Sequence, residues 1–156
     1  MQNQTHGLRF PLAASEVITM LNITILSFSY KRGLPEDPTG HGGGFVFDCR
    51  AMPNPFWEES LRYYTGCDRY IADFFARFPE KVEPFLKAAE TLVLQTIDEF
   101  RASGRNHIQV AFGCTGGQHR SVYFAERMAE DLRAIPDVKV EVLHAARQHW
   151  QTTAKE

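Results

Sequence analysis

The chain has 156 residues, 44% hydrophobic and 23% charged, with a formal net charge of −2. That length suits one domain able to bury roughly two-thirds of the surface its unfolded form exposes, and the composition excludes a disordered chain or a coiled coil. The charge excludes a globally basic nucleic-acid binder, so any RNA contact must come from a local patch.

Residues 1–21 carry no strong periodicity and read as an N-terminal extension, with a weak helix around Ala13 to Met20; the domain proper is expected over 22–156. The first firm element is a buried strand from Asn22 to Ser29, where Ile23, Ile25 and Leu26 precede Phe28. Tyr30 to Gly44 follows as a loop punctuated by Pro35, Pro38 and several glycines, a candidate ligand-facing flap. A short strand starts at Phe45 and ends at Asp48, stopped by the prolines of the Arg50 to Pro55 stretch.

Asp68 can cap a helix running to about Phe78, with Pro79 at the boundary. In the longer helix beyond it, Phe85, Ala89, Leu92, Val93, Thr96, Ile97 and Phe100 recur at three- and four-residue steps, giving one apolar face until Gly104. A third strand spans His107 to Phe112, the loop Gly113 to His119 follows, and a helix from Arg120 to Ala134 sets Val122, Ala125, Ala129 and Leu132 on one face. Val138, Val140 and Val142 alternate as a last strand, closing a βαβ unit. The fold class is α/β: a single domain with a small, mostly parallel sheet flanked by helices.

No window approaches the ~20 apolar residues of a membrane span, and the N-terminus lacks the pattern of a secretory signal, so a cytoplasmic location without a membrane partner is expected. Cys49, Cys67 and Cys114 are an odd number at wide spacing, unlike a disulfide framework or a paired-cysteine zinc site. Reduced thiols are expected, with no metal and no cofactor.

The chemistry concentrates between the third strand and its helix. Gly116 and Gly117 let backbone N–H groups turn inward, and the helix behind them presents unpaired N–H groups and the positive end of its dipole, a place where anions bind. Arg120 adds a planar fork that matches a phosphate, while Thr115, Gln118, His119 and Ser121 offer short side-chain hydrogen bonds. Ligands of α/β sheets sit at the carboxyl ends of the strands, so parallel neighbouring strands would bring Lys31, Arg32, Asp48, Arg50 and Asn54 to the same rim. The alternatives for these are solvated surface charges at Lys31 and Arg32, and an ion pair between Asp48 and Arg50.

Ser27-Phe28-Ser29-Tyr30-Lys31, Phe47-Asp48-Cys49-Arg50, Pro53-Asn54-Pro55, Thr65-Gly66 and Gly113 to Ser121 together resemble the C-terminal domain of the RapZ family of RNase adapter proteins, over about residues 23 to 143. The resemblance implies a domain similar to a subdomain of 6-phosphofructokinase that senses glucosamine-6-phosphate, presents a small regulatory RNA to an endoribonuclease, and assembles into an oligomer. It implies a pocket of Lys31, Asp48, Arg50, Asn54, Thr65, Gly66, Thr115, Gly116, Gly117, Gln118, His119, Arg120 and Ser121. The family's N-terminal domain with a GxxxxGK[ST] loop has no counterpart here, so nucleotide binding is not inherited. Arg32 stands where the family's adapter has histidine, and its basic, RNA-contacting tail is matched only by His144 to Glu156, with Arg147 and Lys155.

The expected function is therefore a regulatory domain binding a phosphorylated small molecule. RNA contact would fall to Lys31, Arg32, Arg62, Arg69 and Arg105, and Phe56, Trp57, Tyr63 and Tyr64 are either an interface or core. The alternative is an enzyme: Cys114 and Arg120 enclose five residues with Ser121 next, the Cys-x5-Arg-Ser pattern of cysteine-dependent phosphatases, with Asp37, Asp48 or Asp68 as acid.

Overall fold

A computed structural model describes residues 20–153, and the expected helix around Ala13 to Met20 lies almost wholly outside them. Four strands, β1 (Leu21–Ser29), β2 (Phe45–Asp48), β3 (His107–Cys114) and β4 (Val138–His144), form one sheet in the order β2-β3-β1-β4. Every neighbouring pair is parallel, with Ser29 beside Cys114, Asp48 beside Gly113 and Ser27 beside His144. All four carboxyl ends therefore share one edge. β3 runs two residues past the expected Phe112, because Gly113 and Cys114 still pair with Phe28 and Ser29.

The helices α1 (Arg69–Phe75), α2 (Pro79–Ala102) and α3 (Arg120–Arg133) bury their apolar residues against one face of the sheet. Ile23 and Ile25 of β1 and Val110 and Phe112 of β3 meet Phe75, Phe124 and Met128 there. Fully burying one such Phe stabilises by about 1.5–3 kcal/mol. The expected α3 face is borne out, with Val122, Ala125, Ala129 and Leu132 all buried. On α2 the buried stripe is Val82, Leu86, Ala89, Val93 and Ile97, whereas Leu92 is exposed. Val82 and Leu86 join the buried stripe, and the expected Phe85 and Phe100 are partly buried against the same core.

Among the described residues, no α-helix packs on the opposite face. Leu26, Phe28 and Ala111 form a small apolar cluster there with Tyr30 and Leu143. The segment between β1 and β2 crosses this face: His41 stacks on His107 at 4.4 Å, and Pro35 and Pro38 line a hollow with Leu26 and Leu143. The segment's Pro35, Glu36 and Pro38 share that hollow with His144, Ala145 and Arg147 at and beyond the end of β4, while its Lys31 and Arg32 follow directly on the end of β1. Asp37 organises it, accepting from the backbone N–H groups of Thr39, His41 and Gly43. Among the described residues, no helix is long and apolar enough to cross a membrane.

Candidate functional site

A cavity of about 560 Å³ opens at the carboxyl edge of the sheet. Ser29, Lys31 and Arg32 line it from the end of β1, Cys114, Thr115, Gly116, Gln118, His119 and Arg120 from the β3–α3 connection, and Asn54, Phe56, Trp57 and Arg62 from the stretch after β2. His149 and Gln151 complete the wall. Four basic residues, Lys31, Arg32, Arg62 and Arg120, thus line one hollow, and among the described residues none of the lining groups is a carboxylate. In a chain of net charge −2, this is a local reversal of sign.

The β3–α3 connection is held from several sides. Ser29 donates from its hydroxyl to the Thr115 carbonyl at 2.7 Å. Gly117 has φ +71°, and a Cβ there would stand 2.8 Å from the Ala146 Cβ, so both conformation and space require glycine. Its N–H donates to Cys114 Sγ at 3.3 Å, which removes this amide from the set expected to face an anion. The Cys114 thiol in turn donates to Ser121 Oγ at 3.0 Å. Cys114 and Ser121 are both buried, and Ser121 does not line the cavity.

Gln118 spans the connection and two neighbouring segments. Its amide nitrogen donates to the carbonyls of Tyr64 and Gln151, each at 2.9 Å, and its oxygen accepts from Gln151 N–H. Trp150 Nε1 donates to the Gly117 carbonyl at 2.8 Å. The segment at 150–151 is thereby bonded to the loop from the outside. Gln118 lines the cavity, but its hydrogen bonds go to the protein.

Arg120 opens α3 and is 6% exposed. Its Nη1 donates to the carbonyls of Arg50 at 2.8 Å and Met52 at 3.3 Å, fixing the turn after β2. A guanidinium carries five N–H donors, so the others remain for an occupant of the cavity. No side chain caps α3, whose first-turn N–H groups have no helical partner. Burial pushes the His119 imidazole below its ordinary pKa, against the pull of the Tyr64, Arg62 and Leu61 carbonyls. Its Nε2 is buried without a partner, the kind of group that an occupant or a water satisfies.

The remaining expected residues stand behind the cavity. Asp48 and Arg50 pair with each other, with Nη2 to Oδ2 at 2.7 Å, and the Arg50 guanidinium lies over the Tyr30 ring at 3.8 Å. The Arg50 bonds hold the Asp48 carboxyl below its usual pKa. Thr65 N–H and hydroxyl both donate to Asp68, so Asp68 closes the turn before α1 and its carboxylate does not cap the helix. Gly66 N–H donates to the Gln118 carbonyl, and a Cβ at Gly66 would stand 2.3 Å from Tyr123 N. Thr65 and Gly66 therefore brace the first turn of α3.

Phe56, Trp57, His149 and Gln151 were missed as wall residues, and Ser29 as the hydroxyl under Thr115. Phe56 and Trp57 had been left open as interface or core, and they are 45% and 77% exposed. His149 and Gln151 carry no local signal, since Gln118, the partner of Gln151, lies 33 residues away.

Parallel strands whose carboxyl ends enclose a cationic hollow define an α/β domain of the kind that takes its ligand at the sheet edge. More narrowly, the chain belongs to the RapZ C-terminal domain family, whose model matches residues 21–148. A protein of Halorhodospira halophila is 44% identical over 113 residues, 72% of this chain and 37% of that protein. A protein of Psychrobacter is 41% identical over 133 residues, 84% and 40% of the two chains. One of Mycolicibacterium gilvum is 39% identical over 142 residues, 89% and 42%. Each of the three is named a nucleotide-binding protein. This chain spans about two fifths of the length of these curated relatives.

Proposed function

We propose that the domain is a regulatory module that binds a phosphorylated small molecule in the cavity at the carboxyl edge of the sheet. The observation that carries this reading is the convergence of Lys31, Arg32, Arg62 and Arg120 on one hollow without a carboxylate. An uncompensated cluster of that kind is matched by a dianion, and the uncapped start of α3 adds backbone donors and a favourable dipole. Phe56 and Trp57 offer a flat apolar wall for the uncharged remainder of the ligand. The resemblance noted above makes glucosamine-6-phosphate the first compound to try. The lining offers no carboxylate to its ammonium, however, so the phosphate is expected to dominate and hexose 6-phosphates should also bind.

In this reading Lys31, Arg32, Asn54, Thr115, Gly116, His119 and Arg120 meet the ligand. Gly117, Gln118 and Ser121 shape the loop, Thr65 and Gly66 support it, and Asp48 and Arg50 position Arg120 through the Arg50 carbonyl. Of the basic residues expected to touch RNA, Lys31, Arg32 and Arg62 share the cavity. Arg69 instead pairs with Asp73, and Arg105 lies over Phe100 at the opposite end of β3. That distribution favours a compact anion over an extended RNA groove. Exposed Trp57 at the rim, and exposed Tyr63 near it in sequence, are the surface an oligomer contact would use.

A thermal-shift screen of hexose and hexosamine 6-phosphates against their free sugars tests the reading. A ligand at a hundred times its dissociation constant stabilises by about 2.7 kcal/mol. Stabilisation by the esters and not by the free sugars is expected; a flat response across the panel, or equal shifts from the free sugars, would overturn it.

One observation favours a second reading. Ser121 Oγ and Gly117 N–H both contact the Cys114 sulfur beside Arg120, an arrangement that can support a thiolate nucleophile. Against it, the thiol is the donor to Ser121, and Arg120 Nη1 is engaged with carbonyls. Hydrolysis of an aryl phosphate that disappears in Cys114→Ser would replace binding with catalysis; no hydrolysis is expected.

A further inference from the structure

We propose that Cys67, Glu126 and His144 form a zinc site with an open fourth position, separate from the phosphate cavity. Cys67 lies in the turn before α1, Glu126 on α3 and His144 at the end of β4, so three distant stretches of sequence bring these donors together. The sulfur lies 3.7 Å from Glu126 Oε1 and 3.9 Å from His144 Nε2, and Nε2 lies 2.7 Å from Oε1. Around a tetrahedral zinc with bonds of about 2.3 Å to sulfur and about 2.0–2.1 Å to nitrogen and oxygen, donor pairs that include sulfur stand about 3.5 Å apart and the nitrogen–oxygen pair about 3.3 Å. Each of the three separations is thus within about 0.6 Å of what the ion requires, reachable by rotating side chains alone.

The donor set also suits the ion. A thiolate, an imidazole and a carboxylate suit zinc, and three protein ligands leave one tetrahedral position for water or an anion. Cys67 and Glu126 line a cleft of about 760 Å³ together with Asp68, Arg69, Arg127, Glu130 and Arg133.

The histidine is also supported from behind. The His144 side chain is only 3% exposed, and its Nδ1 lies 2.6 Å from the hydroxyl of fully buried Ser27. A metal-binding imidazole needs such a partner on its other nitrogen to fix the ring and its tautomer. On binding, Nε2 exchanges its contact with Glu126 for the metal, the ring proton resides on Nδ1 facing Ser27, and the Cys67 thiol proton is released to solvent, so a neutral imidazole and a thiolate hold the ion. Burial and the Glu126 carboxylate push the Cys67 thiol up in pKa, an effect that a dication reverses.

A second group of metal-type donors, Asp37, His41 and His107, differs in this respect. The Asp37 carboxylate already accepts from three backbone N–H groups and the Thr39 hydroxyl, which uses it as the centre of a loop.

Titration of the chain with cobalt(II) under nitrogen, followed by displacement with zinc(II), tests the proposal. One equivalent of cobalt should bind with d–d bands of tetrahedral intensity and a thiolate-to-metal charge-transfer band. Cys67→Ser should abolish that band and weaken zinc roughly tenfold or more, and Ser27→Ala should weaken zinc roughly tenfold while keeping the band. His41→Ala should change neither. Zinc should raise the melting temperature of the wild type and not of Cys67→Ser, whose exposed position keeps that variant folded. Absence of the band, its survival in Cys67→Ser, or loss of binding only in His41→Ala would overturn the assignment.

Discussion

Replacing Arg120 by lysine keeps the charge and removes the fork. In the structure one nitrogen of that fork holds the carbonyls of Arg50 and Met52, and the rest is left for the cavity. A lysine can satisfy one of these roles and not both, since its ammonium is a single point of donation on a flexible stem. A charge-assisted hydrogen bond is worth about 1.5–3 kcal/mol, so the phosphorylated ligand should bind roughly ten- to a hundredfold more weakly. If the ammonium turns to the ligand instead, a buried carbonyl loses its donor, and stability falls by about 1–3 kcal/mol while affinity is kept. Calorimetric titration with a hexose 6-phosphate and urea unfolding, run on the same preparation, measure the two losses. Wild-type affinity together with wild-type stability in Arg120→Lys would refute the dual role assigned to this side chain.

Gly116 lines the cavity, and a Cβ built on it meets nothing within 4 Å, so Gly116→Val should fold with near wild-type stability yet lose most of its affinity in the same titration. Gln118→Ala removes the bonds to Tyr64 and Gln151, and urea unfolding should show a loss of roughly 1–3 kcal/mol. Glu90 is pushed up to about 7 by burial and by neighbouring Asp131 and Glu83, with Arg127 opposing. Its folded pKa lies above the unfolded value, so its contribution to stability is complete below about pH 4.5 and is lost as pH rises through about 7. Glu90→Gln should therefore raise the melting temperature at pH 8 and leave it nearly unchanged at pH 4.5, as read by scanning calorimetry at both values.

The sheet was legible where residues alternate or cluster locally. β1, β3 and β4 fall where Ile23 to Phe28, His107 to Phe112 and Val138 to Val142 place them, and α3 buries its expected face. The order of the strands was not legible, because the connection from β1 to β2 crosses the back of the sheet as a loop with no period to read. At the site, the glycines and Arg120 singled out the β3–α3 connection, of which Thr115, Gly116, Gln118, His119 and Arg120 line the cavity. The sequence could not show that Gly117 N–H is taken by Cys114, or that Gln118 is taken by Gln151, because those partners are fixed only by the fold. Thr65 and Gly66 stood out for a motif whose physical reasons are the Thr65 bonds to Asp68 and the close packing of Gly66 on Tyr123. The grouping of Cys67 with His144 spans 77 residues, beyond the reach of any ligand-spacing pattern.

A crystal of the protein soaked with a hexose 6-phosphate measures the central claim directly. Phosphorus should appear in the hollow between Lys31, Arg62 and the first turn of α3, with Arg120 donating to its oxygens and Trp57 beside the ring. An empty hollow at saturating ester, or phosphate bound at another surface, would contradict it.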